Sequence, residues 1–258
     1  MSAGGKRRVA VLDVESVPDA DALAQAPRHS NGGHARPALH RLVAASVLLC
    51  DEGPRGFSAL DLRTFAHPDV DELGIIGFVD LLLPDPGLAT SRLVTWNGGH
   101  DLRLLRHRAC SRWMFGARGI AGWSGDPVGR HVDVMEEVAG GDRRGRWALA
   151  DFCAGLGFAI RAGVPGRPVL TLYSSGRHDA VAEHNRLDVI GTFLAYAYVR
   201  SFETGDERYA ATAWNLVAEV LAPIKRVDAN VQSLADHHLV SIARQRLSSS
   251  GRGVARIC

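Results

Sequence analysis

The stretch Arg8-Val-Ala-Val-Leu-Asp-Val-Glu-Ser-Val-Pro-Asp19 opens as a buried strand and then breaks its own pattern. The run from Val9 to Val14 is β-branched and apolar apart from Asp13, and the period of two along a strand puts Asp13 and Glu15 on one face. Two neighbouring carboxylates repel each other and are costly to desolvate, and a divalent cation between them is the usual reason for a fold to keep both. The alternative is a strand running out into solvent with acids at its frayed end. What lies downstream separates the two readings.

Working outward, Arg41-Leu-Val-Ala-Ala-Ser-Val-Leu-Leu-Cys50 reads as a second strand and Leu62–Ala66 as a third, with the turn material Asp51-Glu-Gly-Pro between them. The three predict an antiparallel meander. Val70–Leu83 changes to helical spacing, bounded by Pro68 and Pro84. Ser91-Arg-Leu-Val-Thr-Trp96 is a fourth strand that ends at Asn97-Gly98-Gly99, and the leucines between Asp101 and Cys110 predict a helix directly off that turn. Arg130–Val134 is a short fifth strand. Ala148–Gly155, Asp179–Arg200 and Tyr209–Leu221 carry helical patterns, the segment 157–176 is expected to be irregular, and 248–258 is expected to be a disordered tail.

Length and composition bound the function. The chain has 258 residues, 46% hydrophobic, enough for one large domain or two small ones. Its 30 basic and 28 acidic side chains leave a formal charge of +2, so it is not a protein that coats nucleic acid electrostatically, although an enzyme gripping a short strand is compatible with that balance. Four dispersed cysteines without Cys-x-x-Cys spacing argue against a zinc ribbon or a disulfide framework and fit a reducing cytoplasm. Lys6, Arg7 and Arg8 precede an apolar run as in a signal peptide, but Asp13 and Glu15 cut that run short. The longest apolar stretch, Leu73–Leu83, falls well below a membrane span.

On the long late helix, His184 and Asp188 are four residues apart and share a face. Three acidic elements therefore stand in order: Asp13 with Glu15 on the first strand, Asp101 after the fourth, and His184 with Asp188. This order resembles the DEDD superfamily of 3′–5′ exonucleases, most closely the predicted exonucleases related to the proofreading domain of family B DNA polymerases. Leu12-Asp-Val-Glu-Ser-Val-Pro-Asp19 is similar to their first motif, Thr95-Trp-Asn-Gly-Gly-His-Asp-Leu102 to the second, and Glu183-His-Asn-Arg-Leu-Asp-Val-Ile-Gly-Thr192 to the third. Arg130–Met135 and Leu149–Gly157 add weaker similarity.

The resemblance implies a ribonuclease H-like α/β fold over residues 8–202, a mixed five-stranded sheet of three antiparallel strands followed by parallel additions, flanked by helices. A helical extension, 203–247, would follow. It also implies two Mg²⁺ or Mn²⁺ ions held by Asp13, Glu15, Asp101 and Asp188, with His184 orienting or deprotonating the attacking water, and release of nucleoside 5′-monophosphates from the 3′ end of single-stranded DNA or RNA. Family members with tyrosine have three residues between it and the last Asp, and those with histidine usually four. Here a histidine has the tyrosine spacing. His100 also stands where a Phe usually precedes the second-motif Asp.

Asn97 is a candidate contact to the substrate backbone or, with Gly98, a turn residue, and Trp96 is either a core residue or a stacking platform for a base. Asp133, on a short apolar strand, is expected to be structural, and His29, His34 and His40 to be loop histidines. Arg143, Arg144, Arg146, Arg161 and Arg167 either line a phosphate path or form a solvated loop. Two other functions keep the same carboxylates: an endonuclease or short-RNA-trimming enzyme, and a nucleic-acid-binding module that has lost turnover. Nucleic-acid repair or turnover is the expected setting.

Overall fold

The computed structural model describes residues 5–26, 36–125, 129–142, 146–160, 169–223 and 229–250. Strands β1 (Arg7–Pro18), β2 (His40–Gly53), β3 (Gly56–Ala66), β4 (Ser91–Thr95) and β5 (His131–Asp133) form one sheet in the order β3-β2-β1-β4-β5. β1 to β3 pair antiparallel, and β4 and β5 add in parallel on the other side of β1. This is the α/β mixed sheet that the sequence leads one to expect, and it is consistent with a ribonuclease H-like fold.

β1 sits at the centre because it is apolar on both faces, as a strand covered on both sides must be. Its even residues Ala10, Leu12 and Val14 pack with α2 (Glu72–Leu82), α3 (Gly98–Ser111) and α4 (Arg118–Trp123). Its odd residues Val9 and Val11 pack on the other side with α6 (Leu149–Gly155), α8 (His178–Thr204) and α9 (Arg208–Leu221), in a core that also takes Val231 and Leu234 of α10 (Ala229–Ala235) and Val240 and Ala243 of α11 (His238–Ser250). The helices after residue 202 therefore share the main core with α8. Short helices α1 (Ala20–Gln25), α5 (Val134–Ala139) and α7 (Val169–Ser174) complete the chain.

The long α8 is buried on nearly every side from Val189 to Ala197, where it lies between the sheet and α9, and it ends at Gly205, whose φ of 65° supplies the left-handed cap. Two features along β1 shape the open edge of the sheet. β4 pairs only with Arg8–Val11, so the residues from Leu12 onward run past the parallel strand. A register shift between Glu15 and Ser16, against Ala44 and Leu42 of β2, leaves Val43 as the extra residue of a bulge in β2 opposite the second acid.

The structure differs from the sequence reading where apolar periodicity is short or interrupted. β3 begins at Gly56 rather than Leu62, because an edge strand needs only one apolar face. Four helices of six residues, α1, α4, α5 and α7, are too short to show a period; α7 lies in the stretch expected to be irregular. Ser248, Ser249 and Ser250 belong to α11 and not to a disordered tail, while 251–258 lie outside the described residues. His29, His34, Arg143, Arg144, Arg161 and Arg167 also lie outside them. Among the described residues no helix is long and apolar enough to cross a membrane.

At the closed end of the sheet Glu52 is 3% exposed and accepts from Arg7 Nη1 (3.2 Å), Arg200 Nε (3.0 Å) and the Tyr196 hydroxyl (3.1 Å). Burial pushes its carboxyl up, but Arg92, Arg200 and Arg7 together hold it below the ordinary glutamate range. A carboxyl depressed in the folded state contributes stability above its unfolded pKa, and that contribution is lost as pH falls through the folded value. Glu52→Gln is expected to cost about 1–2 kcal/mol at pH 7, since the partly exposed Arg7 and Arg200 lose a buried charged acceptor. The deficit should shrink as the wild-type carboxyl protonates below the usual glutamate range. Urea unfolding of both proteins at pH 7 and pH 3 checks this; an equal deficit at both would show that charge is not the cause.

Candidate active site

Asp13 and Glu15 continue the odd face of β1, so they meet α8 just as Val9 and Val11 do further back. α8 presents His184, Asn185 and Asp188 there. The His184 Nε2 lies 3.5 Å from Glu15 Oε1 and 3.5 Å from Asp188 Oδ2, so the imidazole spans the first and last acids. Glu15, His184 and Asp188 offer ligand atoms that all lie within 4.8 Å of one another. Asn185, fully buried, donates from Nδ2 to Asp13 Oδ2 at 2.6 Å, and its Oδ1 has no hydrogen-bond partner among the described residues.

Asp101 arrives from the opposite layer. β4 ends at Thr95, and α3 begins at Gly98 because only glycine fits there: a Cβ would lie 2.4 Å from His131 Nε2 and 2.4 Å from Thr95 Oγ1. The Thr95 hydroxyl and His131 Nε2 are themselves 2.9 Å apart, locking β4 to β5 beneath the turn. The Asn97 carbonyl accepts from the His100 and Asp101 amides, so Asp101 sits in the first turn of α3, buried at 5% exposure. The Asn97-Gly98 pair is thus the start of the helix rather than a separate turn before it.

These carboxylates lie close enough to repel one another. Asp13 is raised well above the ordinary aspartate range by burial first, then by the charges of Glu15, Asp101 and Asp188, against the lowering effect of the Asn185 amide. Asp101 is raised by burial and by Asp133, although the neighbouring His100 opposes the shift. His100 Nδ1 lies 3.1 Å from Asp101 Oδ1, and that hydrogen bond raises its own pKa. So His100 bonds locally to the acid it precedes. A crowd of anions that burial and mutual repulsion push toward protonation fits hard divalent cations, which take carboxylate oxygens.

Asp133 caps α5 by accepting the Glu136 amide at 3.3 Å, and its other oxygen accepts the Gly99 amide of α3 at 3.4 Å. It is structural, as expected, and it also adds a charge facing Asp101. Asn97 is exposed at the rim of the site. Of the two readings of Trp96 the structure takes the core one: it is 7% exposed, with its ring 5.3 Å from Phe152 in the main core, because a residue one step past Thr95 still faces inward. Arg146 is paired with Glu136 rather than free for a phosphate. Asn185 was not singled out from sequence, although it lies between His184 and Asp188, three residues from Asp188 and so on the same face.

Residues 126–235 match the family of predicted 3′-5′ exonucleases related to the exonuclease domain of PolB. No curated protein matches the chain. The matched stretch runs from before β5 into α10 and includes His184, Asn185 and Asp188; it begins later and ends further on than the resemblance read from the motifs. Asp13, Glu15 and Asp101 precede it, and the fold carries them to the helix within the matched segment that holds Asp188.

Burial and like charge at Asp13 have a measurable cost. Asp13→Asn is expected to stabilise the cation-free protein by about 1 kcal/mol, the usual gain from relieving a strained functional group. Millimolar Mg²⁺ or Mn²⁺ should raise the melting temperature of the wild type more than that of the variant. Differential scanning fluorimetry with and without EDTA reads both effects, and an Asn variant less stable than wild type in EDTA would contradict the repulsion.

Proposed function

We propose that this chain is a metal-dependent 3′–5′ exonuclease that hydrolyses the terminal phosphodiester of single-stranded DNA or RNA and releases nucleoside 5′-monophosphates. The observation that carries this reading is the convergence of Asp13, Glu15, Asp101 and Asp188 with His184, joined to the exonuclease-family match over the segment that holds the last two. Asp13, Glu15, Asp101 and Asp188 would hold two Mg²⁺ or Mn²⁺ ions. When bound, such ions lower the pKa of a ligand water and neutralise charge on the attacked phosphate and the leaving 3′ oxygen.

The side chains have separable tasks. Asp13, the acid that feels the other three most strongly, is held in orientation by Asn185, and Asp101 is held by the first turn of α3 and by His100. His184 Nε2, between Glu15 and Asp188, would take the proton of the attacking water while the 3′ oxygen leaves on the opposite side of phosphorus. An imidazole titrates near neutrality, about pH 6.5, against about 10 for a phenol, which suits the base role. Asn97, exposed at the site rim, is the candidate contact to the substrate backbone. One observation favours a second task for His184: with Glu15 and Asp188 it also forms a set of ligand atoms close enough to grip a cation.

A strand labelled at its 5′ end should yield a ladder shortened one nucleotide at a time in Mg²⁺ or Mn²⁺, and Asp13→Asn should abolish it. Internal cuts would point instead to endonucleolysis, and binding without cleavage to a module without turnover. His184→Ala is expected to lower kcat by about 10²–10⁴ if the imidazole is the base. His184→Tyr, restoring the side chain that normally goes with this spacing, should recover part of that loss. Should His184→Ala instead raise the cation concentration needed for half-maximal rate while saturating cation restores kcat, the imidazole is a ligand.

A further inference from the structure

The segment from Leu102 to Ser124 holds five arginines and no acid, in a chain whose formal charge is only +2. Two of the five are engaged within the fold. Arg108 is buried against Glu72 (2.7 Å) and Asp19 (3.0 Å), and Arg112 Nε reaches Glu72 at 2.7 Å. Arg103, Arg106 and Arg118 are exposed and form no ion pair among the described residues. His100, Arg103, Arg106, His107 and Cys110 follow at intervals of three and four, so one outward face of α3 leads away from Asp101 as a basic stripe.

The far end of that stripe breaks a local rule. α3 closes with the Trp113 amide on the Cys110 carbonyl (3.1 Å) and the Met114 amide on the Ala109 carbonyl (2.9 Å), the paired bonds of a Schellman cap. That cap puts the residue after the helix in the left-handed region, normally a glycine position. Trp113 occupies it with φ of 61° and is 82% exposed. Its ring stands edge-on to Phe115, itself 71% exposed, with centroids 5.5 Å apart. A bulky side chain in that conformation is strained, and an indole left in water buries little in return.

We propose that the outward face of α3 is the track for the single strand upstream of its 3′ end, with phosphates on Arg103 and Arg106 and a base stacked on Trp113. The inference rests on the exonuclease reading. Unpaired guanidinium groups followed by exposed rings suit phosphates and bases; an apolar protein partner would desolvate Arg103 and Arg106 without compensation. Trp113 lies twelve residues beyond Asp101, about 18 Å along a helix. At about 3.4 Å per stacked nucleotide, the platform meets a base about five nucleotides from the end. The consequence is a length dependence: a strand of about twelve nucleotides uses the platform and a trinucleotide does not.

Anisotropy of a fluorescent single-stranded 12-mer, measured in EDTA, tests the track without requiring cleavage. Trp113→Gly should melt higher than wild type, because glycine relieves the cap, and yet bind the 12-mer about tenfold more weakly, within the range of one lost base stack. Arg103→Glu with Arg106→Glu should weaken binding further and flatten its salt dependence, while Trp113→Gly, whose ring lies beyond the reach of three nucleotides, cleaves a trinucleotide at the wild-type rate. Wild-type 12-mer affinity in Trp113→Gly would overturn the proposal, as would a Trp113-dependent self-association seen by light scattering with 12-mer binding unaltered. Failure of the exonuclease reading shows differently, as wild-type binding without hydrolysis.

Discussion

One helix covers both halves of one face of β1, and the arrangement of the molecule depends on that contact. Toward the closed end Val9 and Val11 meet the apolar flank of α8, and toward the open end Asp13 and Glu15 meet Asn185, His184 and Asp188. The apolar half supplies the hydrophobic stabilisation that fixes the register between strand and helix. That register in turn holds the acidic half together against its own repulsion. The two halves cannot be exchanged or slipped, because a shift of one residue on β1 would turn its acids into the layer that holds α2 and α3.

The position of the site follows from strand lengths. β4 ends while β1 continues, so the open edge of the parallel strands leaves a recess of the kind in which α/β sheets place their ligands. Asp101 enters it because α3 starts at Gly98, and α3 can start there only because Gly98 lets the chain pass within van der Waals contact of His131. The opposite edge is closed by Glu52 and its arginines, where every charge has a partner. Charge is thus neutralised at one end of β1 and accumulated at the other.

Much of this was legible in the sequence. Strand periodicity puts Asp13 and Glu15 on one face, helix periodicity puts His184 and Asp188 on one face, and the glycine turn before Asp101 announces a helix start; each is a local pattern that survives folding. Asn185 was not singled out, because a lone Asn in a helix has no pattern of its own and acquires meaning only once Asp13 stands opposite. Trp96 stayed open between core and platform for the same reason: whether a strand-end indole points to solvent or core depends on Phe152, which lies far along the chain. The short helices were missed because six residues span less than two turns, and the extent of α11 because a polar surface helix has a composition close to that of a loop.

α3 connects the two places where the chain departs from what stability alone would select. Its first turn carries Asp101 into a cluster of like charges, and its last residue is followed by a tryptophan in a glycine conformation. Between them Arg108 and Arg112 clamp the helix to Glu72 of α2, and Leu102, Leu104 and Leu105 bury its inner face. The clamp matters because repulsion at one end and strain at the other would each favour unwinding a turn. A helix made rigid by its middle can hold both ends in costly conformations, and a rigid rod between Asp101 and Trp113 fixes the distance between them. The spacing is then a property of the fold rather than of a flexible loop, which is what a length-selective grip on a strand requires.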